Sequence, residues 1–179
     1  MLQTLRDRLD TVTYDKNYQN IDILGIVGYD NSAPTWSKIT SFPITWSGAT
    51  VIDLGCFHGY FSIRAKEAGA SRVIGLEQSA EVIETTRQVV ECSDSDVELV
   101  QWRGGEVTPE ADIALVLNML HHCDDQSLTL QNINCAYAVF EVNQDQISTI
   151  DRFFKILEMR EGRSYPARES RILIYAQKR

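Results

Sequence analysis

The chain has 179 residues, 44% of them apolar and 23% charged, with 17 Lys and Arg against 25 Asp and Glu. That length suits one domain with enough core to fold without staples. The composition excludes disordered and fibrous classes, and no apolar run approaches the roughly 20 residues that cross a bilayer. A net charge of -8 argues against a general nucleic-acid binder, whose affinity comes from Lys and Arg on phosphates. The charge is unevenly spread, however. Residues 151–179 hold eight Lys or Arg and four acids, a balance of +4, so residues 1–150 carry -12. Cys56, Cys92, Cys123 and Cys135 are widely spaced with no CxxC pair, which predicts free thiols in a cytoplasmic protein.

Leu2, Leu5 and Leu9 at helical spacing predict a short N-terminal helix. Residues 28–47, rich in Gly, Ser, Thr, Pro and Trp, read as a loop with short turns. From there strands and helices alternate. Strands are expected at 50–54, 72–77, 97–101, 112–117 and 136–142, and helices at 59–68, 79–92, 125–133 and 144–157, with Ser79 as an N-cap. A short strand near 156–161, a polar loop and a final strand at 171–176 follow. Apolar strands alternating with helices predict a mostly parallel sheet covered on both faces. The last two strands have no helix between them and should form a hairpin, which makes the last strand antiparallel.

In open α/β sheets ligands bind beyond the carboxyl ends of the strands. The first strand leads into Asp53-Leu54-Gly55-Cys56-Phe57-His58-Gly59-Tyr60-Phe61. Gly55 permits a sharp turn, and the helix start after Gly59 offers backbone N–H groups to an anion. The next strand ends in Glu77-Gln78, where an acid can accept both hydroxyls of a ribose. A GxGxxG fingerprint would need glycine at 57, where Phe57 stands.

The pattern D-x-G-x-x-x-G instead resembles the first motif of class I S-adenosylmethionine-dependent methyltransferases, D-L-G-C-G-x-G, from which Phe57 departs. Val73-Ile74-Gly75-Leu76-Glu77 is similar to their second motif. The run from Ala111 to Leu117, continued by Asn118-Met119-Leu120-His121-His122, is similar to their fourth strand and its Leu-His-His ending. The resemblance implies a Rossmann-like, doubly wound, three-layer α/β/α fold with strand order 3-2-1-4-5-7-6. It covers nearly the whole chain, as one domain with a cover segment at 1–47 and a core at 48–179. It also implies S-adenosyl-L-methionine as cofactor and S-adenosyl-L-homocysteine as product. Asp53, Gly55, Cys56, Phe57, His58, Gly59, Tyr60 and Phe61 would shape the methionine side, Glu77 and Gln78 would hold the ribose, and Asn118 would lie near the methyl group. Where the family often has an acid for the adenine amino group, this chain has Gln101-Trp102-Arg103-Gly104-Gly105. Trp102 or Arg103 would stack on adenine, the backbone from 103 to 105 would read its edge, or Trp102 is simply core.

Methyl transfer from a sulfonium needs alignment above all, and a base only where the nucleophile carries a proton. His121 is the first candidate base and His122 the second, since imidazole titrates near neutrality. The alternative is a packing or capping role. The fourth-strand ending lacks the Asn/Asp-Pro-Pro-aromatic arrangement of amino-group DNA methyltransferases. Adjacent side chains diverge in His121-His122-Cys123-Asp124-Asp125, so no metal is expected. The Arg-rich hairpin offers Arg163, Tyr165 and Arg168 as a clamp for a carboxylate or phosphate, against the plain alternative of a solvated loop. Residues 18–22 and Trp36-Ser37-Lys38 are similar to the leader of wobble-uridine tRNA methyltransferases, which adds Trp36 and Lys38 to the substrate side. The tail is similar to the methyltransferase domain that caps O-antigen polysaccharide. The leading expectation is methyl transfer to an oxygen, or other small nucleophile, of an anionic small molecule or saccharide, away from any membrane. An RNA-modifying enzyme and a non-catalytic cofactor-binding subunit remain the alternatives.

Overall fold

A computed structural model describes residues 19–21, 24–26, 31–163 and 170–179. The helix expected near residues 2–9 lies outside them. In chain order the elements are α1 (Ala33–Thr40), β1 (Thr50–Leu54), α2 (Tyr60–Glu67), β2 (Arg72–Glu77), α3 (Ala80–Cys92), β3 (Glu98–Gln101) and β4 (Ala111–Leu117). Then come a 3-10 turn (Leu120–His122), α4 (Gln126–Asn132), β5 (Cys135–Val142), a second 3-10 turn (Gln144–Gln146), α5 (Ile147–Asp151), β6 (Phe154–Glu161) and β7 (Ile172–Lys178).

The seven strands form one sheet in the order β3-β2-β1-β4-β5-β7-β6. β3, β2, β1, β4 and β5 run parallel, and β7 is antiparallel to both β5 and β6. Helices cover both faces. Ile52, Leu54, Ile74, Leu76, Val116 and Phe140 pack toward Leu130 of α4 and Ile150 of α5. Val51, Val73, Leu115 and Val139 pack toward Tyr60, Phe61 and Ala65 of α2 and Ile39 of α1. This is the expected doubly wound sheet with its antiparallel last strand. Ser79 caps α3 as expected, its hydroxyl accepting from the Val82 N–H at 3.3 Å.

Two expectations are corrected. The stretch 28–47 is not all loop, because Ala33–Thr40 is helical, with Pro34 in its first turn. Proline there forfeits no helical hydrogen bond, since the first N–H groups have no partner in any case. Ile39, together with Phe42 and Trp46 just beyond the helix, supplies the buried face that composition alone concealed. The helix expected over 144–157 is only the 3-10 turn and α5, ending at Asp151, and β6 begins at Phe154. From Phe154 to Glu161 the more buried and the exposed residues alternate with period two, which suits an edge strand and not a helix.

α1 is fixed to the sheet edge by two cations. Lys38 Nζ donates to the carbonyls of Glu161 and Gly162, both at 2.9 Å. Arg160 bonds Ser41 and lies 4.4 Å from the Phe42 ring centroid. Phe140 lies fully buried, edge-on to Phe154 at 5.0 Å. Truncating Phe140 to alanine leaves a cavity where strand and hairpin meet, so urea denaturation should show a loss of about 3–5 kcal/mol with the m-value unchanged.

Candidate active site

The turn from β1 to α2 is built from three left-handed residues, with φ of 68° at Gly55, 49° at Phe57 and 81° at Gly59. These are the three glycine slots of the motif that the sequence resembles, and Phe57 adopts glycine's conformation in the middle one. Bulky residues are rare in this region, and the surrounding bonds hold it there. The Phe57 N–H donates to Glu77 Oε2 at 3.3 Å, while the Phe57 carbonyl accepts from the Thr86 hydroxyl. The amides of Gly55 and Cys56 both donate to the Leu76 carbonyl, at 2.7 and 3.1 Å. A Cβ at Gly55 would stand 3.0 Å from the Met119 Cβ, which leaves glycine the fitting residue.

Glu77 closes the site from the end of β2. Its Oε1 accepts from the amides of Gln78 and Ser79, at 2.8 and 3.0 Å. These bonds aim the carboxylate, while Oε2 keeps only the longer contact to the turn. Asp53, on the neighbouring strand, accepts from the Ser62 hydroxyl at 2.6 Å. Burial pushes its carboxyl up to about 6; the Ser62 bonds oppose that shift and the nearby Glu77 charge adds to it.

His58 is fully buried, and neither ring nitrogen has a hydrogen-bond partner. Burial lowers its pKa to about 4, so the ring is neutral at physiological pH. Tyr60 and Phe61 begin α2 and are buried in the core, in edge-to-face contact at 5.1 Å. Trp102 is buried too, and its indole N–H donates to the Glu106 carbonyl at 3.1 Å. Arg103 is exposed and its amide is held by Glu106. Gly104 sits against Cys123, with space for a Cβ only 3.0 Å from the sulfur.

On the far side of the switch point between β1 and β4, the chain after β4 turns at Asn118 (φ 55°), whose N–H donates to the Glu141 carbonyl. His121 and His122 follow in the 3-10 turn, exposed, with ring centroids 3.9 Å apart. Partial desolvation, then His122 and Arg171, lower the His121 pKa to about 4, and Asp145 opposes them.

The sequence-predicted substrate residues are placed differently from one another. Trp36 is half-buried against Trp46 at 5.1 Å, and Lys38 holds the hairpin neck. Arg163 forms a two-point pair with the fully buried Glu141, Nε to Oε1 at 3.1 Å and Nη2 to Oε2 at 3.0 Å. Tyr165 and Arg168 lie outside the described residues. Three groups that sequence reasoning did not single out also act here. Ser62 and Thr86 hold the turn, and Asn143 bonds Arg171. Ser62 stands nine residues beyond Asp53, one helical turn into α2, a placement legible only once the helix start is fixed.

Among the described residues, no three His, Cys, Asp or Glu side chains cluster as a metal site, and no helix is long and apolar enough to cross a membrane. All four cysteines are free thiols. A hollow of about 450 Å³ opens at the opposite sheet edge, among Pro43, Ile44, Ser47, Asp112, Tyr137 and Tyr175. It is framed by the starts of strands, so it is not the ligand site expected of such a sheet.

Comparison with known proteins agrees with this geometry. The profile of a methyltransferase domain family matches residues 51–139. "Probable protein arginine N-methyltransferase 3" of Oryza sativa subsp. indica is 38% identical over 69 residues, 36% of this chain and 11% of that protein. Ribosomal protein L11 methyltransferase of Thermotoga maritima is 42% identical over 55 residues, 31% of this chain and 20% of its own length. The chain thus spans a tenth to a fifth of these relatives. The crystal structure of magnesium protoporphyrin IX methyltransferase from Synechocystis PCC 6803 with bound S-adenosylmethionine superposes with a TM-score of 0.72 at 17% identity, covering 99% of this chain and 97% of that one. That likeness speaks to the fold. Residues 51–139 thus belong to a methyltransferase domain family, and the chain has the fold of class I S-adenosylmethionine-dependent methyltransferases, enzymes whose cofactor is S-adenosylmethionine and whose product is S-adenosylhomocysteine.

The residues present fit that cofactor. Glu77 has an aimed carboxylate at the mouth of a left-handed turn, where ribose hydroxyls can donate to it. His58 brings an orphaned, neutral donor–acceptor ring to the same turn.

The His58 burial carries a pH signature. Its folded pKa of about 4 lies below the ordinary 6.5, so between these values the unfolded chain binds the extra proton. Stability therefore falls as pH drops through this window and levels off below about 4. Asp53, raised from 3.8 to about 6, works in the opposite sense over nearly the same range. Replacing His58 with glutamine removes the first effect and keeps the second. Relative to that variant, the natural chain should lose about 3 kcal/mol between pH 7 and pH 4 in urea titrations, and a pH-independent gap would refute the assignment.

Proposed function

We propose that this chain transfers the methyl group of S-adenosylmethionine to an oxygen, or another small nucleophile, of an anionic small molecule or saccharide. The observation that carries the proposal is the polarity of the edge beyond the cofactor turn. His121, Asn143 and Arg171 gather there past the ends of β4, β5 and the entry to β7. An apolar acceptor would call for a greasier wall.

The cofactor supplies an electrophilic methyl group on a positively charged sulfur. The chain's own part is to hold and align. Glu77 anchors the ribose. Asp53, Gly55, Cys56, His58 and Gly59 set the path of the turn around the methionine end. Gln78, Trp102, Arg103 and Gly104 border the adenine end, with Trp102 acting through packing. His121, kept neutral by its surroundings, is ready to take a proton from an acceptor hydroxyl. His122 is the alternative base on the same turn.

Of the arginine stripe Arg160, Arg163, Arg168 and Arg171, three members are described: Arg160 and Arg163 are engaged with Ser41 and Glu141, and Arg171 is buried. That leaves the RNA-modifying reading with less support than the arginine count suggested, and steep salt dependence of RNA binding is the result that would revive it. A non-catalytic cofactor-binding subunit would bind the cofactor and methylate nothing.

Calorimetry with S-adenosylhomocysteine tests the cofactor site. The natural chain should bind in the micromolar range, and Glu77→Ala should weaken binding at least about tenfold, the loss of charge-assisted bonds to two hydroxyls. Unchanged binding in Glu77→Ala would refute the ribose role. With labelled S-adenosylmethionine and a panel of carboxylate and saccharide acceptors, His121→Ala should lower turnover about a hundredfold while leaving product affinity within twofold. Full activity in that variant would pass the role to His122, or show that the acceptor needs no base.

A further inference from the structure

Arg171 stands one residue before β7. Register pairs Ile172 with Val142 of β5 and with Glu161 of β6, so Arg171 sits at the carboxyl edge of the sheet beside Asn143. Its residue exposure is only 9%. One guanidinium nitrogen, Nη1, donates to Asn143 Oδ1. The buried Nε has no partner, and no carboxylate among the described residues pairs with the side chain.

This is an unusual way to leave an arginine. A buried cation without an anion is costly, and natural cores pair such charges. The chain shows the ordinary solution one strand away, where Arg163 takes both oxygens of Glu141. Glu141 forms its ion pair with Arg163 and none with Arg171, and Thr35 and the Arg163 amide also donate to its Oε1, at 3.5 and 3.3 Å. Nε is sealed from solvent, whereas Nη2 is not and carries no hydrogen bond within the described residues, so Nη2 is the corner of the guanidinium that an anion can reach.

We infer that Arg171 is the group that recognises the methyl acceptor, by taking a carboxylate of that molecule at its Nη2 corner, with Asn143 holding the guanidinium in place through Nη1. The inference rests on the acceptor reading above and gives it a chemical class. One uncompensated cation matches one negative charge. A dianion such as a phosphate monoester would bring a second negative charge with only Arg171 to balance it, since Arg163 is already paired with Glu141. Arg171 also acts on His121 from across the same gap, so a bound carboxylate would sit beside the candidate base.

Thermal unfolding of the ligand-free protein with sodium acetate, inorganic phosphate or sodium chloride at matched ionic strength tests this without knowing the acceptor. Acetate at about 100 mM should raise the natural chain's Tm saturably by about 3 °C over chloride, as expected of a ligand that binds only the folded state. Arg171→Met should melt at or above the natural chain in chloride, because it removes an unpaired buried charge, and should lose the acetate shift. Arg171→Lys keeps the charge without the fork, so its acetate midpoint should rise at least fivefold, and it decides the matter if the methionine variant does not fold. A methionine variant that melts lower in chloride would make Arg171 structural. Equal acetate shifts in both chains, or none in the natural one, would overturn the site, and a response to phosphate alone would overturn the carboxylate class. S-adenosylhomocysteine affinity, measured on the same variants, should stay within twofold. Its absence in all of them would defeat the cofactor reading while leaving the acetate result to stand or fall by itself.

Discussion

The end of β2 dictates the shape of the turn after β1, and the rest of the site follows from that. The Leu76 carbonyl accepts both the Gly55 and the Cys56 amides, and the Glu77 carboxylate accepts the Phe57 amide. Two adjacent parallel strands thereby fix three alternating left-handed residues, which no isolated peptide would hold with phenylalanine in the middle. The same carboxylate is the proposed ribose anchor. On that reading cofactor recognition and backbone geometry are coupled through Glu77, and losing it would disturb both.

On the acceptor side the organising fact is the division of labour among cations. The net charge of -8 suggested only a dissolved, acidic chain, and the +4 tail suggested a display of arginines. The structure spends most of that display internally. Lys38 and Arg160 tie α1 to β6, and Arg163 neutralises Glu141. Arg171 is left buried without a countercharge. Four neighbouring cations in one stretch of chain and its facing helix thus differ in their work, three holding the fold and one proposed to meet the acceptor.

Much of this was legible in the sequence, for identifiable reasons. Ile113 to Leu117 is buried on both faces and reads as a continuous apolar run, Val51 to Leu54 is apolar but for Asp53, and the glycines and Glu77 sit at fixed distances from the first strand. Ser79 announced its helix start by side-chain chemistry alone. α1 was hidden because its apolar residues, Trp36 and Ile39, lie among serines, threonines and a proline that usually mark loops. The strand expected near 156–161 is β6, but its start was masked because Ile147, Ile150 and Phe154 have helical spacing, while the period-two alternation begins only at Phe154. The fate of the arginines was not legible at all. Glu141 is 22 residues from Arg163, and nothing local shows that this acid pairs with Arg163 and not with Arg171.

The central claim is that the turn gripped by Glu77 holds S-adenosylmethionine with its methyl group toward His121 and Arg171. A crystal structure of the chain with S-adenosylhomocysteine tests it most directly. We expect both ribose hydroxyls on the Glu77 carboxylate, the homocysteine end along the Gly55–Gly59 turn, and the sulfur facing the side of Asn118, His121 and Arg171. A product molecule bound elsewhere, or one whose sulfur faces away from those three residues, would contradict the account.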